Sequence, residues 1–182
     1  MQRDFWGKTK REKVIQLQKS LQKYDKHTLA DRLVRLDIVK NAMTSPSGYA
    51  FSSPDAIFLY HDARNCYING QFAACIIVCQ ALLEHRFKGM YHLAGNDKIT
   101  SLSFKNRIKK VMDDKVLPDY LSNKLNELRI KRNPLIHMSK DAFGYYFRKS
   151  GEKKKNPEEI LEQDAKEAFL LTFEILNGIP FA

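Results

Sequence analysis

The stretch FAACIIVCQALLEHRFKGMY, residues 72–91, leaves this chain few ways to fold. A helix over about Gln71 to Tyr91 is apolar almost all round in its first half, FAACIIVCQALL, so it has no face to offer water. Such a helix belongs at the centre of a bundle. A membrane span needs about 20 apolar residues, and this run ends well short of that. The remainder of the chain must therefore wrap it.

The flanking sequence supplies suitable helices. Gly (8) and Pro (6) are scarce among 182 residues, which favours long helices over a many-turned β protein. Val14, Leu17 and Leu21 recur at helical spacing over about Lys10 to Tyr24, and Leu29, Leu33, Leu36 and Val39 suggest a second helix. The loop TSPSGYAFSSP follows. Ser53-Pro54-Asp55 then reads as an N-cap, a first-turn proline and a first-turn acid, opening a helix to about Ile68 that Asn69-Gly70 closes. Ser101 is expected to open a helix through Phe104, Ile108, Val111 and Met112, and Pro118-Asp119 another through Leu121, Leu125 and Leu128. RKSGEKKKNP reads as a basic loop, and Asn156-Pro157-Glu158-Glu159 starts a last, acidic helix. No internal repeat and no sustained heptad pattern is present. The expectation is an all-α bundle over residues 51–182, carrying a basic helical extension over residues 1–50.

A formal net charge of +10 suits a phosphate-bearing partner, and equally suits plain solubility. Three cysteines, Cys66, Cys75 and Cys79, form no paired framework, and the N-terminus has no apolar segment of secretory type. A cytoplasmic protein without a membrane partner is expected.

The motif LRIKRNPLIH, Leu128 to His137, carries the chemistry. Leu121, Leu125, Leu128 and Arg132 follow one another at steps of four, three and four, so they share a helix face. Arg132 therefore continues an apolar stripe, and a buried guanidinium cannot shed its proton. On an unbroken helix, residues five apart diverge by about 140°. Pro134 should stop or kink the helix at about Asn133 and let His137 swing back toward Arg132. An arginine beside an imidazole suits phosphodiester chemistry, since one holds and stabilises the phosphate while the other moves a proton. The same residues also read as a plain helix stop, with an arginine complementing the helix dipole and His137 incidental.

RNPLIH resembles the R-N-x-x-x-H form of the motif that marks the HEPN superfamily (higher eukaryotes and prokaryotes nucleotide-binding domains). ARNCYINGQFAACIIVCQALLEHRFK is similar to the helix pair that precedes the motif in that family. The resemblance covers about Pro54 to Pro180 and leaves out the basic N-terminal helices. It implies a helical bundle that acts as a metal-independent endoribonuclease, needing no cofactor and no metal. It implies a homodimer in which two motifs meet, with RNA as substrate. Such domains serve as toxins, abortive-infection effectors and RNA-processing enzymes, and a toxin implies an antitoxin or other regulatory protein. Other members act only as nucleotide-binding or protein-interaction modules. The catalytic residues carried over are Arg132, Asn133 and His137, with Glu84 matching the acid of the central helix.

Several other residues bear on this reading. Lys131, Arg148, Lys149, Lys153, Lys154 and Lys155 are the expected RNA-backbone contacts, and Tyr145, Tyr146 and Phe147 offer either base stacking or core packing. Glu84 shares a stripe with Ile77 and Ala81, so a buried carboxylate needs a cation there, and Arg132 and Arg64 are the candidates. Cys75 and Cys79 share a helix face and read as core. His85 and His92 lack zinc-pair spacing.

Overall fold

Helix α3 (Phe72–Leu93) is central, with the helices before and after it and the last helix packed directly on it. A computed structural model describes residues 10–44, 49, 51, 53–137 and 144–178. Among these the chain is all-α, with α1 (Lys10–Ala42), α2 (Pro54–Ile68), α3, α4 (Asp97–Thr100), α5 (Phe104–Asp113), α6 (Asp119–Ile136), α7 (Tyr145–Lys153) and α8 (Pro157–Gly178). No described helix is long and apolar enough to cross a membrane.

The apolar surface of α3 is buried as its composition requires. Cys75, Ile76, Cys79, Leu82, Leu83 and Phe87 are all fully buried. On one side lies α2, started by Ser53, whose hydroxyl accepts the Ala56 N–H at 3.3 Å. Gly70 takes φ +71 in the turn to α3, a conformation that disfavours side chains. On the other side lies α8, whose Phe169 stacks on Tyr67 of α2 at 4.9 Å and touches Phe173 at 4.5 Å. Asn156 starts α8 by accepting the Glu158 N–H at 2.9 Å. Helices α5 and α6 close a third side, with Phe104, Ile108, Val111, Leu121, Leu125 and Leu128 buried.

The structure alters four of the expected boundaries. The two N-terminal segments are one uninterrupted 33-residue helix, α1, because nothing between Tyr24 and Thr28 breaks it. Its last third packs on the bundle through Val39 and Arg35, the latter donating to the Ile68 carbonyl (3.1 Å) and to Glu162 (3.1 Å). Ser103, not Ser101, caps α5, accepting from the Asn106 N–H at 3.4 Å. Most of the expected basic loop is helical, since α7 runs to Lys153 before Lys154 turns the chain at φ 52. Finally, α6 does not stop at Asn133. It runs through Pro134 to Ile136, and His137 caps it in extended geometry (φ −119, ψ 120). Most of TSPSGYAFSSP and the segment 138–143 lie outside the described residues.

Candidate functional site

The stripe Leu121–Leu125–Leu128 is buried as expected, and Arg132 follows it half-buried. Its Nε is shielded from solvent without a hydrogen-bond partner among the described residues. None of the described carboxylates is seen paired with it. Helix α6 continues through Pro134 instead of stopping at Asn133. Proline lacks the N–H that would reach the Ile130 carbonyl, but in the last turn only that one bond is lost. The His137 N–H still closes on the Asn133 carbonyl at 2.9 Å. Positions 132 and 137 therefore keep the ordinary helical divergence of about 140°. Arg132 lies toward the bundle, while His137 is exposed at the helix end. A swing of His137 onto Arg132 by a break at Asn133 is not what the chain does.

Glu84 belongs to a different arrangement. It accepts from Gln80 Nε2 at 2.8 Å, and its other oxygen lies 3.8 Å from Arg107 Nη1. The cation it serves is thus Arg107 on α5, and neither Arg132 nor Arg64. Arg107 is only 1% exposed and donates to the carbonyls of Thr100 (3.0 Å) and Leu102 (2.6 Å). Burial lowers its pKa, and Glu84 partly opposes that. This cluster ties α3 to the start of α5. It is a structural use of Glu84.

The expected RNA contacts divide into two groups. Lys131 turns to α8, where it pairs with Asp164 at 3.0 Å and with Glu167. Lys149 lies over the Tyr145 ring at 4.5 Å and 3.8 Å from the other Asp164 oxygen. Asp164 is 4% exposed, so both lysines serve a buried acid. The Tyr146 hydroxyl is buried there too, and its pKa is pushed up by burial first and by Asp164 second. Arg148, Lys153, Lys154 and Lys155 are exposed on α7 and its end, and Phe147 beside them is 75% exposed. Only this second group, with Phe147, presents both charge and a ring to solvent.

Between α6 and α8 runs a groove of about 220 Å³, floored by Leu128, Ala168 and Leu171 and edged by Lys124, Lys131, Glu167 and Glu174. Arg132 and His137 are not among its lining residues. Burial alone would raise the Glu167 pKa, but bonds from Lys131 and Gln163 hold the carboxyl below its ordinary range. Burial alone would lower Lys131, but Glu167 and Asp164 hold it above. The stabilisation from Glu167 is complete above about pH 4.3, its unfolded value, and is lost as pH falls through the lower folded value. That from Lys131 is complete below about pH 10.4 and is lost as pH rises through the higher folded value. Urea midpoints followed from pH 7 down to pH 2.5 should fall less steeply below about pH 4.3 in Lys131→Met than in the native chain. Parallel curves would show that the pairing contributes nothing.

Asp164 and Arg107, beside Arg35 and Arg86, are two of the buried charges outside the motif. The phase argument that exposes Arg132 also finds them. Asp164 lies on the stripe Ile160–Asp164–Ala168–Leu171, and Arg107 stands among Phe104, Ile108 and Val111. Compared with models of protein families, with curated proteins and with solved structures, the chain matches none.

Proposed function

We propose that this chain is an RNA-acting helical domain of HEPN type, cleaving RNA without a metal ion. The observation that carries the reading is Arg132: a guanidinium on the inward stripe of α6, next to Asn133 and five residues before His137, with no described carboxylate neutralising it. A fixed, unneutralised cation near a helix end favours an anion. In the reaction, the ribose 2′-hydroxyl gives its proton to a base and attacks the adjacent phosphorus. The bond to the 5′-oxygen breaks, and that oxygen takes a proton. The products are a 2′,3′-cyclic phosphate and a 5′-hydroxyl. His137 transfers protons, Arg132 stabilises the charge on the phosphorane-like transition state, and Asn133 orients one of them. One chain offers one such histidine, and two copies offer two. Arg148, Lys153, Lys154 and Lys155, with Phe147, form the surface that engages the strand.

Incubating the protein with mixed RNA in EDTA tests this. Fragments ending in 2′,3′-cyclic phosphate are the expected result. Intact RNA, or cleavage that EDTA abolishes, overturns the ribonuclease assignment. A second reading, a non-catalytic binding module, draws on a specific observation. Glu84, Lys131 and Lys149 are held by partners within the bundle, so the expected site loses three of its residues to structure. That reading predicts RNA or nucleotide binding that depends on Arg132 with no product formed.

A further inference from the structure

Helix α1 is long and only partly used. Every residue from 11 to 27 is exposed, although this segment carries Val14, Leu17, Leu21 and Tyr24 at steps of three and four. Leu17 and Leu21 are each 64% exposed. At 1.5 Å per residue the exposed arm extends about 25 Å. A stripe of this spacing is a helix-packing seam, and most helical stability in proteins comes from packing such a face rather than from propensity. The arm's charge is mostly positive: Arg11, Lys13, Lys19, Lys23 and Lys26 against Glu12 and Asp25.

A matching surface exists on the same chain. The other end of α1 and the first half of α8 enclose an open groove of about 400 Å³, with Val34, Ile38 and Tyr67 lining it. Its edges carry Asp31, Glu159 and Glu162. Arg35 in the groove is already engaged by Glu162 and the Ile68 carbonyl, leaving Lys166 as the other cation. The spacing of the arm's stripe continues without a break through Thr28, Asp31, Arg35 and Ile38, so seam and groove wall lie along one line of one helix.

We propose that the exposed arm of α1 docks into the α1–α8 groove of a second copy of this chain, reciprocally and antiparallel. The arm cannot reach its own groove, because both are parts of one uninterrupted helix. A two-fold pair brings each arm to the other's groove and satisfies both surfaces at once. Antiparallel alignment sets the lysine-rich arm against the acids, whereas parallel alignment would set lysines against lysines. The stripe is narrow, two residues per seven, where a membrane-surface helix presents a broad apolar face. RNA phosphates would engage the lysines and leave the apolar stripe uncovered. None of the motif residues takes part, so the inference stands apart from the ribonuclease reading.

Analytical ultracentrifugation of the full chain tests it. The native chain is expected to be a dimer that weakens with salt. Leu17→Glu with Leu21→Glu should weaken dimerisation by about tenfold or more with helix content and thermal unfolding of the bundle preserved. An arm-reversed chain (Lys19→Glu, Lys23→Glu) and a groove-reversed chain (Asp31→Lys, Glu159→Lys) should each be monomeric alone and should pair when mixed. A native monomer at high micromolar concentration overturns the proposal. So does a dimer that survives the Leu17/Leu21 changes, or reversed chains that stay apart on mixing. A monomer whose arm instead binds RNA or anionic vesicles also overturns it.

Discussion

Arg107→Met should cost the fold about 3–5 kcal/mol, the scale seen when one partner of a buried pair is removed. At 1% exposure the guanidinium is inside the bundle, where Nη2 donates to the Thr100 and Leu102 carbonyls and Nη1 lies 3.8 Å from Glu84 as an ion pair without a hydrogen bond. Methionine fills most of the space but donates nothing. Two carbonyls then lose their donor, and Glu84 on α3 is left beside Gln80 alone. Two compensations are limited. Glu84→Leu in the same chain relieves the stranded carboxylate and should recover part of the loss, since replacing both members of a buried pair is often near neutral. It cannot restore donors to the two carbonyls. Arg107→Lys keeps the charge but offers a point donor where a planar fork reaches several acceptors, so it should fall between. Urea unfolding followed by circular dichroism measures all three. For a domain of this size the methionine variant should melt roughly 10 °C lower. A change under about 1 kcal/mol would mean that solvent reaches this cluster and that Arg107 is not its tie.

Much of the bundle was legible because its signals are local. Ser53-Pro54-Asp55 caps α2, Gly70 turns the chain, and the apolar surface of Phe72–Leu83 puts α3 at the centre. The stripe that ends at Arg132 was legible too, since phase needs only spacing. The failures came where a rule of punctuation met the wrong position. Pro134 is a strong breaker in mid-helix, but two residues from the end of α6 it removes one bond and does not end the helix. Gly151 lies inside α7 rather than marking a loop. The gap in apolar periodicity between Tyr24 and Leu29 changes which face is apolar without ending α1. The partner of Glu84 was not legible, because it depends on where the chain after α4 brings Arg107 relative to α3, which is a tertiary fact. Lys131 and Lys149 resemble their exposed neighbours in every local respect. Only the inward phase of Asp164 on α8 tells them apart.

The ribonuclease reading makes its largest claim on activity without stability. His137→Ala should lower RNA cleavage by about 10²–10⁴, the usual contribution of a positioned proton-transfer group. Arg132→Ala should lower it by about 10²–10³ through lost transition-state stabilisation. The double variant should be little worse than His137→Ala alone, because groups acting in one step do not contribute additively. His137 is exposed at the end of α6, so its removal should leave the urea midpoint within about 0.5 kcal/mol of the native chain. Arg132→Lys separates electrostatics from geometry. If the planar guanidinium holds the phosphate with two donors, lysine should restore little of the lost rate. Lys131→Met supplies the opposite control. It breaks the pairing with Asp164 and Glu167, so it should lower stability while the rate per folded molecule stays near native. Single-turnover cleavage of end-labelled RNA, scored beside unfolding curves for each variant, distinguishes these cases. If His137→Ala and Arg132→Ala both cleave at native rates, the motif is only the end of a helix. If they lose activity only in proportion to the fraction unfolded, its role is structural. A loss of rate at constant stability is the outcome that requires both residues to touch the reacting phosphate.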